Sequence, residues 1–354
     1  MYQEGDMKRY ILAGVGALII TVLIVPTILV FLYPGKSQEV QSLKNIITSA
    51  ASGIGAKKTS QVKKAVPYTV KVYRNKLKKI ENIDLEDYIV GVVAAEMPAD
   101  FELEALKAQA MAARTYTVER IVKGDFSDIP KGAHVIDTVK NQVYMDPEQR
   151  LKTWGVDHVW KEEKIQQAVK ETAGDILTYN GQPIEASFFS TSNGYTENAE
   201  EYWGGKYVPY LRSVAVPWDK ESPKYQATVA LSLSEFERKL NTRISRAALA
   251  QSNQTPSLIN VLSYSQGKRV NQVKVGDKKF SGRQVRERLG LNSSQFTISY
   301  KNSQVVIQTT GYGHGVGMSQ WGAQGMAKEG KKAEEIVKHF YTGIEIHNAE
   351  KYLR

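Results

Sequence analysis

The sequence contains no cysteine among its 354 residues, which excludes disulfide bonds and thiolate metal sites. Its five histidines show neither an H-E-x-x-H pattern nor another close spacing of ligands, so we expect no metal ion and no other cofactor. No three glycines fit the G-x-G-x-x-G pattern, and no G-x-x-x-x-G-K-[ST] segment is present, so no dinucleotide or phosphate loop is predicted. We find no internal repeat.

Acidic residues are fewer than basic ones, 37 against 47, and the formal net charge is +10. This excess favours an anionic neighbourhood such as nucleic acid, a membrane surface or a polyanionic cell wall, without choosing among them. The composition is otherwise that of an ordinary globular protein, and the length allows one large or two medium domains.

One long hydrophobic run stands out, from Ile11 to Tyr33, with no charged residue. As a helix it measures about 34 Å, which is enough to cross a bilayer core, although a buried core helix is the alternative. Lys8 and Arg9 before it are balanced by lysines after it. The orientation therefore rests on the short tail ahead and the large domain behind, which place the bulk of the chain outside the cytoplasm.

The remaining chain predicts a stalk and one mixed domain. Pro34 to Val66 is polar and lysine-rich, which is typical of a solvated tether, with contact to lipid or wall polymer as the alternative. Helices and strands then alternate irregularly, so we predict an α+β fold. The expected segments are a cytoplasmic tail (1–10), a transmembrane anchor (11–33), a linker (34–66) and one folded domain (67–354). The predicted helices are 85–96, 102–122, 232–240, 281–289 and 332–341, and the clearest strands are 68–73, 305–310 and 344–347.

Glu96 is a carboxylate on an apolar helix face. Ile89, Val92 and Val93 share that face by their spacing, and Glu96 continues it. Loss of water raises the pKa of a carboxyl group, and a partly protonated glutamate is what a general acid requires. The alternative is a buried ion pair, for which Arg114 in the next helix is a candidate partner.

The second helix has its own apolar stripe, and four residues lie off it: Lys107, Gln109, Arg114 and Tyr116. These four are either surface residues or polar groups that line a sugar-binding cleft.

A glycine-rich run, GYGHGVGMSQWGAQGMA, spans Gly311 to Ala327. We interpret it as a tight loop in which His314, Ser319 and Gln320 offer hydrogen bonds to sugar groups. A catalytic pairing of Ser319 with His314 is the alternative, but no third member is evident. Trp321 either stacks on a sugar or packs in the core.

A second turn, with Ser192 and Asn193, is either another wall of the same site, together with Tyr202 and Trp203, or a structural turn.

Three stretches carry a family resemblance. EDYIVGVVAAEMPADFELEALKAQAMAARTY, FFSTSNGYTENAEEYWGGKYVPYLRSVAVPWD and the glycine-rich run, in this order, resemble the stage II sporulation protein D family. FSGRQVRERLGLNSSQF also follows its pattern. The resemblance extends over nearly the whole chain, the hydrophobic run included.

This resemblance implies an envelope protein of endospore formers that cuts peptidoglycan as a lytic transglycosylase, with the glutamate of E-M-P, Glu96, as its catalytic acid. It implies an anchor in the mother-cell membrane, a role in engulfment with other engulfment proteins, and an amidase partner, stage II sporulation protein P, which leaves denuded glycan as substrate. No nucleic-acid partner is implied. Some similar proteins are amidase enhancers, which is the alternative function.

In such a reaction the 6-hydroxyl of the MurNAc ring attacks its own anomeric carbon, so one glutamate can serve as acid and then base. Hydrolysis would need a second carboxylate. The candidates for that second group are Glu197, Glu200, Glu201 and Asp219. Some relatives carry a Cys/His cluster where this chain has only His134. We therefore do not extend the metal site of those relatives to this chain.

Overall fold

The computed structural model describes residues 65–245 and 258–353, all of which belong to one compact unit. The predicted tail and anchor, and nearly all of the predicted linker, lie outside the described residues. Within those two described ranges, no helix combines the length and the apolar character that a bilayer crossing needs. The fold is mixed α+β.

The α-helices of the described residues are numbered in chain order. They are α1 (Leu85–Glu96), α2 (Leu103–Lys123), α3 (Pro147–Trp154), α4 (His158–Glu171), α5 (Ala199–Trp203), α6 (Leu233–Leu240), α7 (Gly282–Leu289), α8 (Gln320–Lys328) and α9 (Ala333–Phe340).

The strands form small sheets between these helices. They are β1 (Thr69–Arg74), β2 (Lys79–Asp84), β3 (Val135–Ile136), β4 (Asp175–Tyr179), β5 (Gln182–Pro183), β6 (Phe188–Phe189), β7 (Gln226–Ser232), β8 (Ile259–Tyr264), β9 (Val270–Val275), β10 (Lys278–Ser281), β11 (Phe296–Lys301), β12 (Gln304–Thr310), β13 (Met318–Ser319) and β14 (Glu345–Asn348).

Helix α2 lies at the centre of the larger hydrophobic core. It packs against α1, α4, α8, α9 and β4, so neighbours surround it. Its alanines allow this close approach, and its buried residues occur on every side rather than along one stripe. The polar residues Gln109 and Arg114 are fully buried as a result.

A second core belongs to residues 226–245 and 258–310, which we call the inserted lobe. Strands β11, β12 and β7 form one antiparallel sheet, and β10, β9 and β8 form another. Phe236 and Val285, from α6 and α7, are buried with the apolar faces of these sheets. The chain returns to the larger core at Val316, so the lobe is inserted between two parts of that core.

Candidate active site

A cleft of about 730 Å³ lies between the larger core and the inserted lobe. This volume falls within the range of sites for small ligands. The residues that line the cleft are Glu96, Tyr116, Val139, Lys140, Asn141, Gln142, Val143, Glu185, Ala186, Ser187, Phe188, Phe189, Ser190, Trp203, Arg283, Arg286, Tyr312, Gly313, His314 and Gln320.

Glu96 is the last residue of α1. The helix begins at Asp84, whose carboxylate accepts the Glu86 backbone N–H at 2.9 Å, and it ends where Met97 turns extended ahead of Pro98. Ile89, on the same face, is fully buried, as the spacing predicted. Fixed at the end of this packed helix, the Glu96 carboxyl group faces the cleft.

Burial raises the pKa of Glu96 above its ordinary value. Two hydrogen bonds oppose this shift in part: the Val143 backbone N–H donates to Oε1 of Glu96 at 3.1 Å, and the Gln320 side chain donates as well. No lysine or arginine in the described part of the chain forms an ion pair with Glu96. The environment of the carboxyl group therefore shifts its balance towards the neutral, proton-bearing form.

Arg114 is not the partner of Glu96, so the buried ion pair considered above is wrong. Its guanidinium pairs with Glu86, at 2.6 Å between Nη2 and Oε2, and also donates to the backbone oxygens of Val169 and Asp175. This network joins α1, α2 and the start of β4, and Arg114 does not line the cleft.

His314 lines the cleft beside Trp203, with ring centroids 5.3 Å apart. Burial, with the nearby charges of Arg286 and Arg269, lowers the pKa of His314 to about 3. Its Nδ1 accepts the Val316 backbone N–H at 3.1 Å, and the ring also bonds to the Phe188 backbone. The imidazole is therefore neutral at physiological pH and committed to backbone partners.

The glycines of the run Gly311–Ala327 bring the chain against buried groups. A Cβ on Gly315, where φ is +90°, would lie 2.4 Å from Cζ of Arg269. A Cβ on Gly317, where φ is +78°, would lie 2.0 Å from the Ser187 backbone oxygen. The run thus closes over the buried Arg269 and sets β13 beside β6, which carries His314 and Gln320 to the cleft.

The cleft lining does not include Ser319, Ser192 or Asn193, which form hydrogen bonds with other parts of the protein. The buried Asp219 accepts hydrogen bonds from the Ser319 hydroxyl, at 2.6 Å, and from the Ser192 backbone N–H. Ser319 also caps α8, and the Asn193 amide donates to the Gly267 oxygen at 3.0 Å. The Ser319–His314 pairing is therefore absent, because each side chain is bound elsewhere.

Lys107 and Gln109 do not line the cleft either. Lys107 lies between Glu104 and Glu171, at 2.9 and 2.5 Å. Gln109 lies one layer behind the cleft, with its side-chain oxygen 3.4 Å from the Gln320 amide nitrogen. Of the nine predicted substrate-binding residues, the structure brings Tyr116, His314 and Gln320 into the cleft with Glu96.

The four candidate second carboxylates lie outside the cleft lining. Glu197 is buried 3.8 Å from Arg269, and Glu200 pairs with Arg212 at 2.7 Å. Glu201 accepts the Gln266 backbone N–H at 3.0 Å, and Asp219 is the buried acceptor described above. For Trp321, the sequence left open whether it stacks on a sugar or packs in the core. It packs edge-on against Phe101 and does not line the cleft.

Sequence reasoning missed several lining residues. Glu185 lies in the segment between β5 and β6 and has no local sequence signal. Arg283 and Arg286 come from the quoted FSGRQVRERLG stretch, where their i, i+3 spacing on α7 was a usable signal. In the described part of the chain, no group of three His, Asp or Glu residues could hold a metal ion. His134 instead accepts the Lys71 backbone N–H.

Comparison with known proteins places this chain among sporulation proteins. Residues 73–179 match the profile of the stage II sporulation protein family. The chain is 45% identical to stage II sporulation protein D of Bacillus subtilis over 98% of each chain, and 43% identical to that of Bacillus amyloliquefaciens over 97% of this chain and 96% of the relative. It is also 31% identical to the amidase enhancer of Bacillus subtilis, over 72% of this chain and 39% of the enhancer.

Proposed function

We propose that this chain, which belongs to the stage II sporulation protein D family, is a peptidoglycan lytic transglycosylase in which Glu96 is both acid and base. One observation carries the proposal: Glu96 is a desolvated carboxyl group in an open cleft, with a raised pKa and no cation paired to it in the described chain. A raised pKa keeps the proton on this carboxyl group to a higher pH than on an exposed glutamate, which suits a general acid.

The reaction needs no water and no second carboxylate. Protonated Glu96 gives its proton to the glycosidic oxygen between MurNAc and GlcNAc as the bond to the anomeric carbon breaks. The 6-hydroxyl oxygen of MurNAc bonds to that carbon, and the resulting Glu96 carboxylate takes the hydroxyl proton. The products are a 1,6-anhydro-MurNAc end and a new GlcNAc end, and Glu96 is protonated again.

The other cleft residues suit sugar binding. Tyr116, Trp203 and Tyr312 offer aromatic faces and hydroxyl or indole donors, which are typical of carbohydrate sites. Hydrogen bonds from Val143 and Gln320 hold the Glu96 carboxyl group in one orientation in the cleft. His314 is a neutral contact rather than a proton donor.

The proposed setting is the mother-cell membrane during engulfment, with residues 11–33 as the anchor and the domain outside the cytoplasm. The names of the two Bacillus relatives support a role in sporulation. An amidase such as stage II sporulation protein P would act first, and the denuded glycan would be the substrate.

The test is incubation of the full chain, purified in detergent, with denuded glycan strands, followed by mass analysis of the strand ends. We expect anhydro-MurNAc ends from the unmodified chain and none from Glu96→Ala. Ends that form equally with Glu96→Ala would show that another residue is the acid. Reducing ends that contain added water would identify a hydrolase.

A second function is favoured by the similarity to an amidase enhancer. In that case the cleft binds glycan and stimulates an amidase without cutting. An absence of new strand ends, together with faster peptide release by an added amidase, would support the enhancer over the enzyme.

A further inference from the structure

Arg286 is a cation without an anionic partner in the described part of the chain. It lines the cleft, and its guanidinium donates to two neutral oxygens, the Tyr202 hydroxyl at 2.5 Å and the Asn292 backbone oxygen at 3.3 Å. The other cations of the cleft differ. Arg283 pairs with Glu287 at 2.7 Å, and Lys140 lies 3.8 Å from Asp128.

The surroundings hold Arg286 in place. Tyr202 lies between the two arginines, since it accepts from Arg286 and also has the Arg283 guanidinium 5.4 Å from its ring centroid. His314, on the same side, is neutral and therefore adds no further positive charge. The Arg286 guanidinium is therefore fixed, charged and open to the cleft.

The two walls of the cleft differ in charge, because burial raises the pKa values of both carboxyl groups on one wall, whereas the other wall carries two guanidinium groups. Glu96 and Glu185 come from the larger core, whereas Arg283 and Arg286 come from α7 of the inserted lobe. A ligand that carries one negative charge is therefore attracted to the lobe wall rather than to the other wall. Such a ligand is oriented as well as bound.

We propose that Arg286, with Arg283 beside it, binds the free lactyl carboxylate of a MurNAc unit that has lost its stem peptide. A planar guanidinium matches a carboxylate by paired N–H···O bonds. When the stem peptide is attached, the same carbon belongs to a neutral amide, which offers no charge and adds bulk. The inserted lobe is thus the part of the protein that distinguishes denuded from peptide-bearing glycan. This inference takes its ligand from the proposed function.

The test measures binding, so that it does not depend on cleavage. The full chain with Glu96→Gln, in detergent, is titrated calorimetrically with denuded glycan strands and with the same strands after their lactyl carboxylates have been converted to methylamides. We expect the carboxylate strands to bind about tenfold more tightly, as a charge-assisted hydrogen-bonded pair would give. Adding Arg286→Gln should remove that difference by weakening carboxylate binding alone.

Two control variants separate recognition from folding. Arg286→Lys keeps the charge and should keep part of the preference. Arg238→Gln removes an exposed arginine of α6, outside the cleft, and should keep all of it. Equal weakening of both ligands by Arg286→Gln, an unchanged preference, or no binding of either strand by the parent chain would overturn the inference. The proposed function fails separately, if the unmodified chain makes no anhydro ends.

Discussion

Glu96 and His314 face the same cleft from two regions of the molecule, the end of α1 in the larger core and the glycine-rich run. Burial favours the neutral form of both side chains, so the pKa of Glu96 is raised and that of His314 is lowered to about 3. The outcomes are opposite. A neutral carboxyl group carries a proton that it can give, whereas the neutral imidazole has its lone pair occupied by the Val316 N–H.

The largest effect should come from removing the Glu96 proton. Glu96→Gln keeps the size and the hydrogen-bonding capacity of the side chain, and we expect it to slow anhydro-end formation by about 10²–10⁴-fold, the usual contribution of a general acid. His314→Gln should cost far less in the same assay. A loss with His314→Gln as large as that with Glu96→Gln would reverse the comparison.

Substitutions in the glycine-rich run should lower the free energy of unfolding rather than remove a catalytic group. Gly317→Ala places a Cβ against the Ser187 backbone oxygen at a positive φ, and we expect it to cost about 2–5 kcal/mol in the free energy of unfolding. Gly290→Ala is the matched control, with φ of +69° and no atom within 4 Å of the added Cβ, and should cost only about 1–2 kcal/mol. Urea denaturation measures both, and equal costs would contradict the close approach.

The pH dependence of stability should show how much the ionised form of the buried Glu96 destabilises the fold. Because the pKa of Glu96 is higher in the folded state, the folded chain binds more protons than the unfolded chain between the ordinary and the raised pKa. Stability therefore falls as pH rises through that window. Glu96→Gln should raise Tm by a few degrees above the window and leave it nearly unchanged below about pH 4, where both states are protonated. A Tm difference that does not vary with pH would show that Glu96 titrates normally.

The smallest expected effect is that of His314→Gln on the pH profile of cleavage. The kcat/KM value should fall as pH rises through the raised pKa of Glu96, because the acid form is lost. His314, with a pKa of about 3, should add no ionisation above about pH 5. His314→Gln should therefore leave the midpoint of the fall unchanged, whatever it does to the rate. A midpoint that moves would show that the histidine takes part in proton transfer.

Local signals predicted much of this structure from the sequence. The bounds of α1 agree with the predicted helix, because Asp84 caps one end and Pro98 limits the other. Ser232 and Ser281 likewise cap α6 and α7 where those helices were predicted to begin. The position of Glu96 on an apolar face also followed from spacing alone.

The predictions for α2 show where local reasoning stops. An amphipathic pattern implies one buried face, but α2 is enclosed by its neighbours, so Gln109 and Arg114 are buried as well. Which buried polar group faces a cleft depends on long-range packing. For the same reason the sequence could not show that Ser319 binds Asp219, or that Arg286 from the inserted lobe lines the cleft.

The hydrogen bond between Glu96 and Gln320 joins residues more than two hundred positions apart. A ribosome has therefore made most of the chain before the carboxyl group has a complete environment. A truncated or clipped product that ends before the glycine-rich run lacks one wall of the cleft. For a protein proposed to cut the cell wall beside its own membrane, we therefore expect incomplete copies to lack the cutting activity.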